Sequence, residues 1–255
     1  MLIDCHVNIS ANGGWYGTNF NSSFKRLRNE MDKSEIDRCV LIVMPGVTSN
    51  KFVATVINKE PNRFRGLAYI NFKTDYKKQI DNIISMGFSG VKINPRIQNV
   101  QVLEKTLNSF WEYLDKKGLI LMVCGYLQVP DSKITINDLQ PLAYELHVKK
   151  YSNIKFILSH GGCNKVMDTF FLARSYKNFF TDISYSINRF KETSFYKDYI
   201  FLMENVEKKV LFGSDFPEIS LVNAKSEFKK LTKTLSFDKE KRISSANALE
   251  LFWRE

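Results

Sequence analysis

Ile3-Asp4-Cys5-His6-Val7-Asn8 opens the chain as an apolar run with polar residues set into every second position. A strand has period two, so this spacing predicts that residues 4, 6 and 8 share one face. Two ligands on one face of a strand can share a metal. His6 is the first such residue, and the second position holds Asn8. Working outward, seven further apolar runs follow, at residues 39–44, 65–70, 90–93, 119–124, 154–159, 179–183 and 210–212. Most are rich in Val, Ile, Leu and Phe without clean alternation, as strands of a parallel sheet buried on both faces read.

Helical spacing fills most of the gaps. Phe24, Leu27 and Met31 precede the second run; Phe52, Val53, Val56 and Ile57 precede the third, with a stop near Pro61. Ile80, Ile83 and Ile84 follow, closed by Gly87. Leu103, Leu107, Phe110, Trp111 and Leu114 form the strongest stripe, ending in Lys116, Lys117 and a C′ glycine at Gly118. Leu139, Leu142 and Leu146 form another, with Pro141 in the first turn, where its missing N–H costs nothing. Residues 221–234 and 239–253 read as closing helices. Eight strand–helix units in this length predict a (β/α)₈ barrel. The rival is a doubly wound open sheet, but Asn12-Gly13-Gly14 is not the GxGxxG phosphate loop such a sheet carries after its first strand.

A chain of 255 residues with no repeat or linker-like tract reads as one domain over residues 1–255, and 44% hydrophobic with 25% charged content is ordinary for a soluble protein. The longest apolar stretches, residues 39–45 and 119–129, fall short of a membrane span of about 18 residues. No secretion signal opens the chain. Cys5, Cys39, Cys124 and Cys163 are scattered without a CxxC, so a reducing cytoplasm is expected. The net charge of +10 is spread over mixed-charge segments such as Asp238-Lys239-Glu240-Lys241-Arg242. No nucleic-acid-binding motif accompanies it, so neither nucleic acid nor membrane is expected as partner.

Barrel chemistry sits where strands end. The polar residues there are His6 and Asn8, Lys92, Asn94 and Arg96, Cys124, His160, Asp182 and Ser184, and Asp215. His6, Cys124, His160 and Asp215 could converge on one divalent metal, since zinc accepts imidazole, thiolate and carboxylate; Asn8 could add only a carbonyl. Without metal, His160 could act as a base oriented by Asp215. Bland readings stand beside these. Cys124 could be a small buried hydrophobe, Asp182 a loop anchor, Asp4 an acceptor for backbone N–H groups, and Gly161-Gly162 a tight turn. Lys92 could be a substrate-binding cation, an ion-pair partner or a carbamylated ligand. His147, in a Lys-rich helix tail, reads as surface. Residues 9–20, with Trp15, Tyr16 and Phe20, are placed to cover the mouth, or to pack its top; Tyr126, Tyr185 and Arg189 lie in other mouth loops.

In order and spacing, several segments together resemble the amidohydrolase superfamily, amidohydrolase-2 branch. They are Ile3–Asn8, Asp37-Arg38-Cys39-Val40, Pro61-Asn62-Arg63-Phe64, Gly90-Val91-Lys92-Ile93-Asn94-Pro95, Ser159-His160-Gly161-Gly162, Phe212-Gly213-Ser214-Asp215-Phe216-Pro217 and Asn247-Ala248-Leu249. The resemblance implies a slightly distorted (β/α)₈ TIM barrel and one divalent metal, zinc being expected, with a metal-free site as the alternative. It makes His6 and Asp215 ligands and His160 a base or substrate-orienting residue. It also marks two departures, Asn8 and Cys124, each standing where the family carries a histidine ligand. It implies hydrolysis of an amide, ester or lactone of a small molecule, with Asp215 as general acid/base and His160 catalytic. Lys92, Asn94, Arg96, Trp15 and Tyr126 would contact substrate. The alternatives are a nonoxidative decarboxylase of an aromatic or unsaturated acid and a noncatalytic small-molecule-binding barrel. Homodimers are common in the resembling family.

Overall fold

The computed structural model describes residues 1–126 and 132–253; positions 127–129 of the apolar run 119–129 lie outside them. Eight parallel strands pair in chain order: β1 (Ile3–Asn8), β2 (Arg38–Ile42), β3 (Phe64–Ala68), β4 (Gly90–Ile93), β5 (Ile120–Val123), β6 (Lys155–Leu158), β7 (Phe179–Asp182) and β8 (Val210–Leu211). Backbone hydrogen bonds Cys5 N to Phe212 O (2.9 Å), Asp215 N to His6 O (2.9 Å) and Asn8 N to Phe216 O (2.8 Å) join the last segment to the first. The fold is the (β/α)₈ TIM barrel that the eight apolar runs lead one to expect.

Several helices begin where a side chain caps them. Ser23, Ser49 and Ser220 accept from Arg26 N, Phe52 N and Asn223 N, and Asp75 accepts from Lys77 N and Lys78 N, each satisfying an N–H the helix leaves unpaired. Gly118 ends its helix at φ 63°, the left-handed C-cap expected of it. Two apolar populations result. One lies between sheet and helices, with Val7, Leu41, Val91, Leu121, Phe156 and Val210. The other fills the barrel, with Ile3, Cys5, Val40, Ile42, Leu67, Met122, Ile157 and Leu211, and Phe252 of the last helix packs on it.

Gly90 shows how tightly β4 and β5 approach. A Cβ built there would lie 2.0 Å from Ile120 O and 2.7 Å from its carbonyl carbon, both backbone atoms. Gly90→Ala is therefore expected to lower stability by about 3 kcal/mol or more, the upper range for overpacking, read as a fall in the urea midpoint. Wild-type stability in that variant would mean the strands are further apart than described.

Three expectations need correction. The β1–β2 register slips between Asp4 and Val7, and such a bulge reverses the alternation of side chains. Ile3 and Cys5 join the barrel interior while Val7 and Ile9 join the outer layer, so residues 4, 6 and 8 do not share a face. Asp4 instead accepts from His6 N (3.0 Å) and Ser214 N (2.9 Å), the backbone-anchoring role foreseen for it. Second, the Leu139, Leu142, Leu146 stripe is not a buried face. Leu142 and Leu146 are exposed, and Pro141, Tyr144 and Val148 are buried instead, because two 3₁₀ turns (Asn137–Leu139, Pro141–Tyr144) precede the short helix Glu145–Lys150 and change the period. Third, His147 is half-buried, with its ring 4.7 Å from that of Trp111.

Candidate active site

The C-terminal ends of the strands lay a polar layer over the apolar filling. At its centre is Asp182, fully buried at the end of β7. Its Oδ2 lies 3.2 Å from His6 Nδ1, and its Oδ1 accepts from His160 N (3.1 Å), Ser184 N (3.0 Å) and the Ser184 hydroxyl. Burial works against the Asp182 charge, but the contacts with His6, then His160 and Lys92, outweigh it and hold the carboxyl well below its usual range. Asp182 thus anchors both histidines, a larger part than fixing a loop.

Hydrogen counting fixes the rings. The single Ser184 hydroxyl proton goes to Asp182, so Ser184 Oγ accepts at its other contacts: His6 Nδ1 (3.1 Å) and His160 Nδ1 (2.9 Å). Both imidazoles therefore carry Nδ1–H, and His160, which burial keeps neutral, presents Nε2 as a lone pair. The two rings stack with centroids 4.9 Å apart. His6 Nε2 faces Asp215 Oδ1 and Lys92 Nζ, each at 3.5 Å. His160 Nε2 faces Cys124 Sγ at 3.6 Å. Asn8 Nδ2 donates to Asp215 Oδ1 (3.1 Å) and to Phe216 O (2.9 Å), fixing the carboxylate's direction.

His160, Tyr185 and Asp215 hold positive φ of 63°, 59° and 69°. Non-glycine residues in that region cost on the order of 1–3 kcal/mol each and gather where surrounding structure enforces them. At His160 the enforcing contact is Tyr199, whose hydroxyl oxygen lies 2.8 Å from both His160 O and Cys163 O and shares its one proton between them. Gly161 beside it has φ 61° and a Cβ position 2.4 Å from the Tyr199 ring. The tight turn foreseen at Gly161 is therefore also what lets Tyr199 hold the histidine.

A cavity of about 720 Å³ opens above this layer, walled by His6, Trp15, Tyr16, Met44, Asn94, Arg96, Ile97, Cys124, Tyr126, His160, Asp215 and Glu218, among others. Trp15 Nε1 donates to Glu218 Oε1 at 3.0 Å, and burial, then the Asp215 charge, raises the Glu218 carboxyl above its usual range. Of the residues expected at the site, His6, Asn94, Arg96, Trp15, Tyr126, Cys124, His160 and Asp215 meet at this cavity. Tyr16 lines it too, while Phe20, Tyr185 and Arg189 border separate hollows. Asn8 lies behind the Asp215 carboxylate. Lys92 is displaced from its expected place: it is 1% exposed, outside the cavity wall, with its ammonium on Ser159 Oγ at 2.6 Å. Ser159, Ser184 and Glu218 complete the constellation. Ser159 and Glu218 carry no sequence signal beyond standing near strand ends.

Burial, opposed by the Asp215 charge, pushes His160 down to about 4. A folded value below the unfolded 6.5 contributes stability present above about pH 6.5 and lost as pH falls through about 4, worth about 3 kcal/mol at about 1.4 kcal/mol per pH unit. Asp4, pushed up to about 6 by burial, acts oppositely: its contribution is present below about 3.8 and lost as pH rises through about 6. A ¹H–¹³C titration of the three imidazoles should show one with a midpoint near 4. If all of them titrate above about 5.5, the neutral His160 described above is wrong.

An amidohydrolase family model matches residues 3–253. The chain belongs to the amidohydrolase superfamily, in its amidohydrolase-2 branch. No curated protein matches. An uncharacterised TIM-barrel protein from Bordetella bronchiseptica superposes on this amidohydrolase with TM-score 0.83 at 18% identity, over 98% of this chain and 97% of that one. A probable 2-pyrone-4,6-dicarboxylic acid hydrolase from Acinetobacter baumannii, with citric acid bound, gives 0.73 at 16%, over 99% of each chain. A dihydroxybenzoic acid decarboxylase from Polaromonas, with manganese and the inhibitor 2-nitroresorcinol, gives 0.76 at 16%, over 99% and 96%.

The residues present do not fit such a metal. A catalytic zinc takes three protein ligands, and among the described residues only two, His6 and Asp215, turn donor atoms toward one point at the cavity floor. Asn8 turns its NH₂ to Asp215, and Cys124 turns to His160 with its thiol raised above the usual range by burial. The Lys92 ammonium stands 3.5 Å from His6 Nε2, a fixed positive charge beside the point an ion would occupy. His6, His160 and Asp182 also bring donor atoms within 4.8 Å of one another, but all three residues are buried and Asp182 is already bonded to His6 and to Ser184.

Proposed function

We propose that this amidohydrolase hydrolyses an ester, lactone or amide of a small molecule without a metal. The observation that carries the reading is the Asp215 carboxylate. It stands at the cavity floor, aimed by Asn8 and set beside His6. There Asp215 takes a proton from water as the water attacks the acyl carbon, and returns it to the leaving oxygen or nitrogen. His160 orients the substrate, Arg96 and Asn94 hold its anionic or polar end, and Trp15, Tyr16 and Tyr126 pack against its body. Lys92 acts from below, as a fixed charge on His6.

Zinc is the cofactor the sequence leads one to expect, with a metal-free site as the alternative. Near-stoichiometric zinc or manganese in protein purified without chelator, lost in Cys124→Ala, would restore it. A second reading, nonoxidative decarboxylation, draws support from the pairing of Arg96 with three aromatic side chains in one cavity, which suits a carboxylated ring. A screen of lactones, esters and amides read by acid release, run beside aromatic acids read by carbon dioxide release, separates the two. Acid release that disappears in Asp215→Asn supports hydrolysis; carbon dioxide alone overturns it. Ligands that raise the melting temperature without turning over would mark a binding barrel.

A further inference from the structure

Water activation by Asp215 leaves Cys124 without a task, yet its sulfur is placed against an imidazole as a nucleophile's would be. Cys124 directly follows β5 and reaches the cavity wall, whereas Cys5, Cys39 and Cys163 are buried. Its sulfur lies 3.6 Å from His160 Nε2, the atom that hydrogen counting leaves as a lone pair. His160 is in turn held by Ser184, and Ser184 by Asp182. A thiol on an acceptor imidazole, itself oriented by a third group, is the arrangement that activates a cysteine. Burial holds the Cys124 thiol above its usual range and His160 well below its own, so the pair rests as neutral thiol and imidazole, and the Lys92 ammonium offsets only part of the cost of forming the thiolate.

We propose that Cys124 is a covalent catalyst in this cavity, forming a thioester with the acyl part of its ester or lactone substrate while His160 carries the proton. The proposal rests on the hydrolase reading of the same site. Cys124 Sγ passes its proton to His160 Nε2 and bonds the acyl carbon. The tetrahedral intermediate collapses, the carbon–oxygen bond breaks, and the leaving alkoxide takes the proton from His160. Water, deprotonated by Asp215, then attacks the thioester; the carbon–sulfur bond breaks and the thiolate takes that proton back. Ester and water become acid and alcohol, and nothing is oxidised or reduced.

The test uses the full chain and p-nitrophenyl acetate, with intact mass and peptide mapping. The expected result is an acetyl group on Cys124 and a nitrophenolate burst approaching about one equivalent per chain. Both disappear in Cys124→Ala and Cys124→Ser. Acylation slows by about 10²-fold in His160→Gln and, where that variant misfolds, in Ser184→Ala. Asp215→Asn still acylates but accumulates the adduct. An adduct that never forms on Cys124, or forms equally fast without His160, overturns the proposal. So does unchanged steady-state ester turnover in Cys124→Ala, and that outcome leaves hydrolysis itself standing. Loss of all acid release in favour of carbon dioxide would instead remove the hydrolase reading.

Discussion

Replacing Asp215 with asparagine is expected to lower turnover by about 10³-fold while leaving the fold in place. General acid–base catalysis is worth about 10²–10⁴-fold, and asparagine has no carboxylate with which to exchange a proton. The replacement is otherwise close to silent. Asparagine matches aspartate in shape and, like it, tolerates the left-handed backbone found here at φ 69°. Its side-chain oxygen still accepts from Asn8 Nδ2, as the carboxylate does at 3.1 Å. A melting temperature within a few degrees of wild type would show that lost activity is lost chemistry. Asp215→Ala is a poorer test, since alanine at positive φ adds strain and leaves Asn8 without that acceptor. Full turnover in Asp215→Asn would remove the carboxylate from the mechanism.

The barrel was legible because parallel strands covered on both faces leave near-continuous apolar runs, and every run found a strand within about two residues. The bulge in β1 was not. Both faces of that strand are covered, so neither phase of the alternation looks wrong in the sequence. At the site, polar residues closing apolar strands marked His6, His160 and Asp215 correctly as neighbours. Their common anchor was harder to weigh. Asp182 bonds a histidine 176 positions away, and only the closed barrel shows that it holds both rings. Depth along a strand was equally invisible. Lys92 and Asn94 are two residues apart on the same face of β4, yet Asn94 borders the cavity and Lys92 lies beneath it.

Lys92→Met is expected to lower the melting temperature by about 6–20 °C and to cut turnover with it. The ammonium is buried and donates to Ser159 Oγ at 2.6 Å. It also stands 3.5 Å from His6 Nε2, which faces the Asp215 carboxylate at the same distance. Methionine fills much of the same volume, so the loss is chiefly electrostatic. Removing one partner of a buried charged set costs about 3–5 kcal/mol, because the remaining charges stay buried without compensation. For a domain of this size each kcal/mol moves the midpoint by about 2–4 °C. The same reasoning fixes how the native protein answers metals. If the ammonium is the built-in positive charge of the site, dialysis against EDTA leaves both turnover and melting temperature unchanged, and added zinc or manganese raises neither. A chelator-sensitive wild type, or a Lys92→Met variant as stable as its parent, would mean the charge at this position is supplied by an ion and that Lys92 is a bystander.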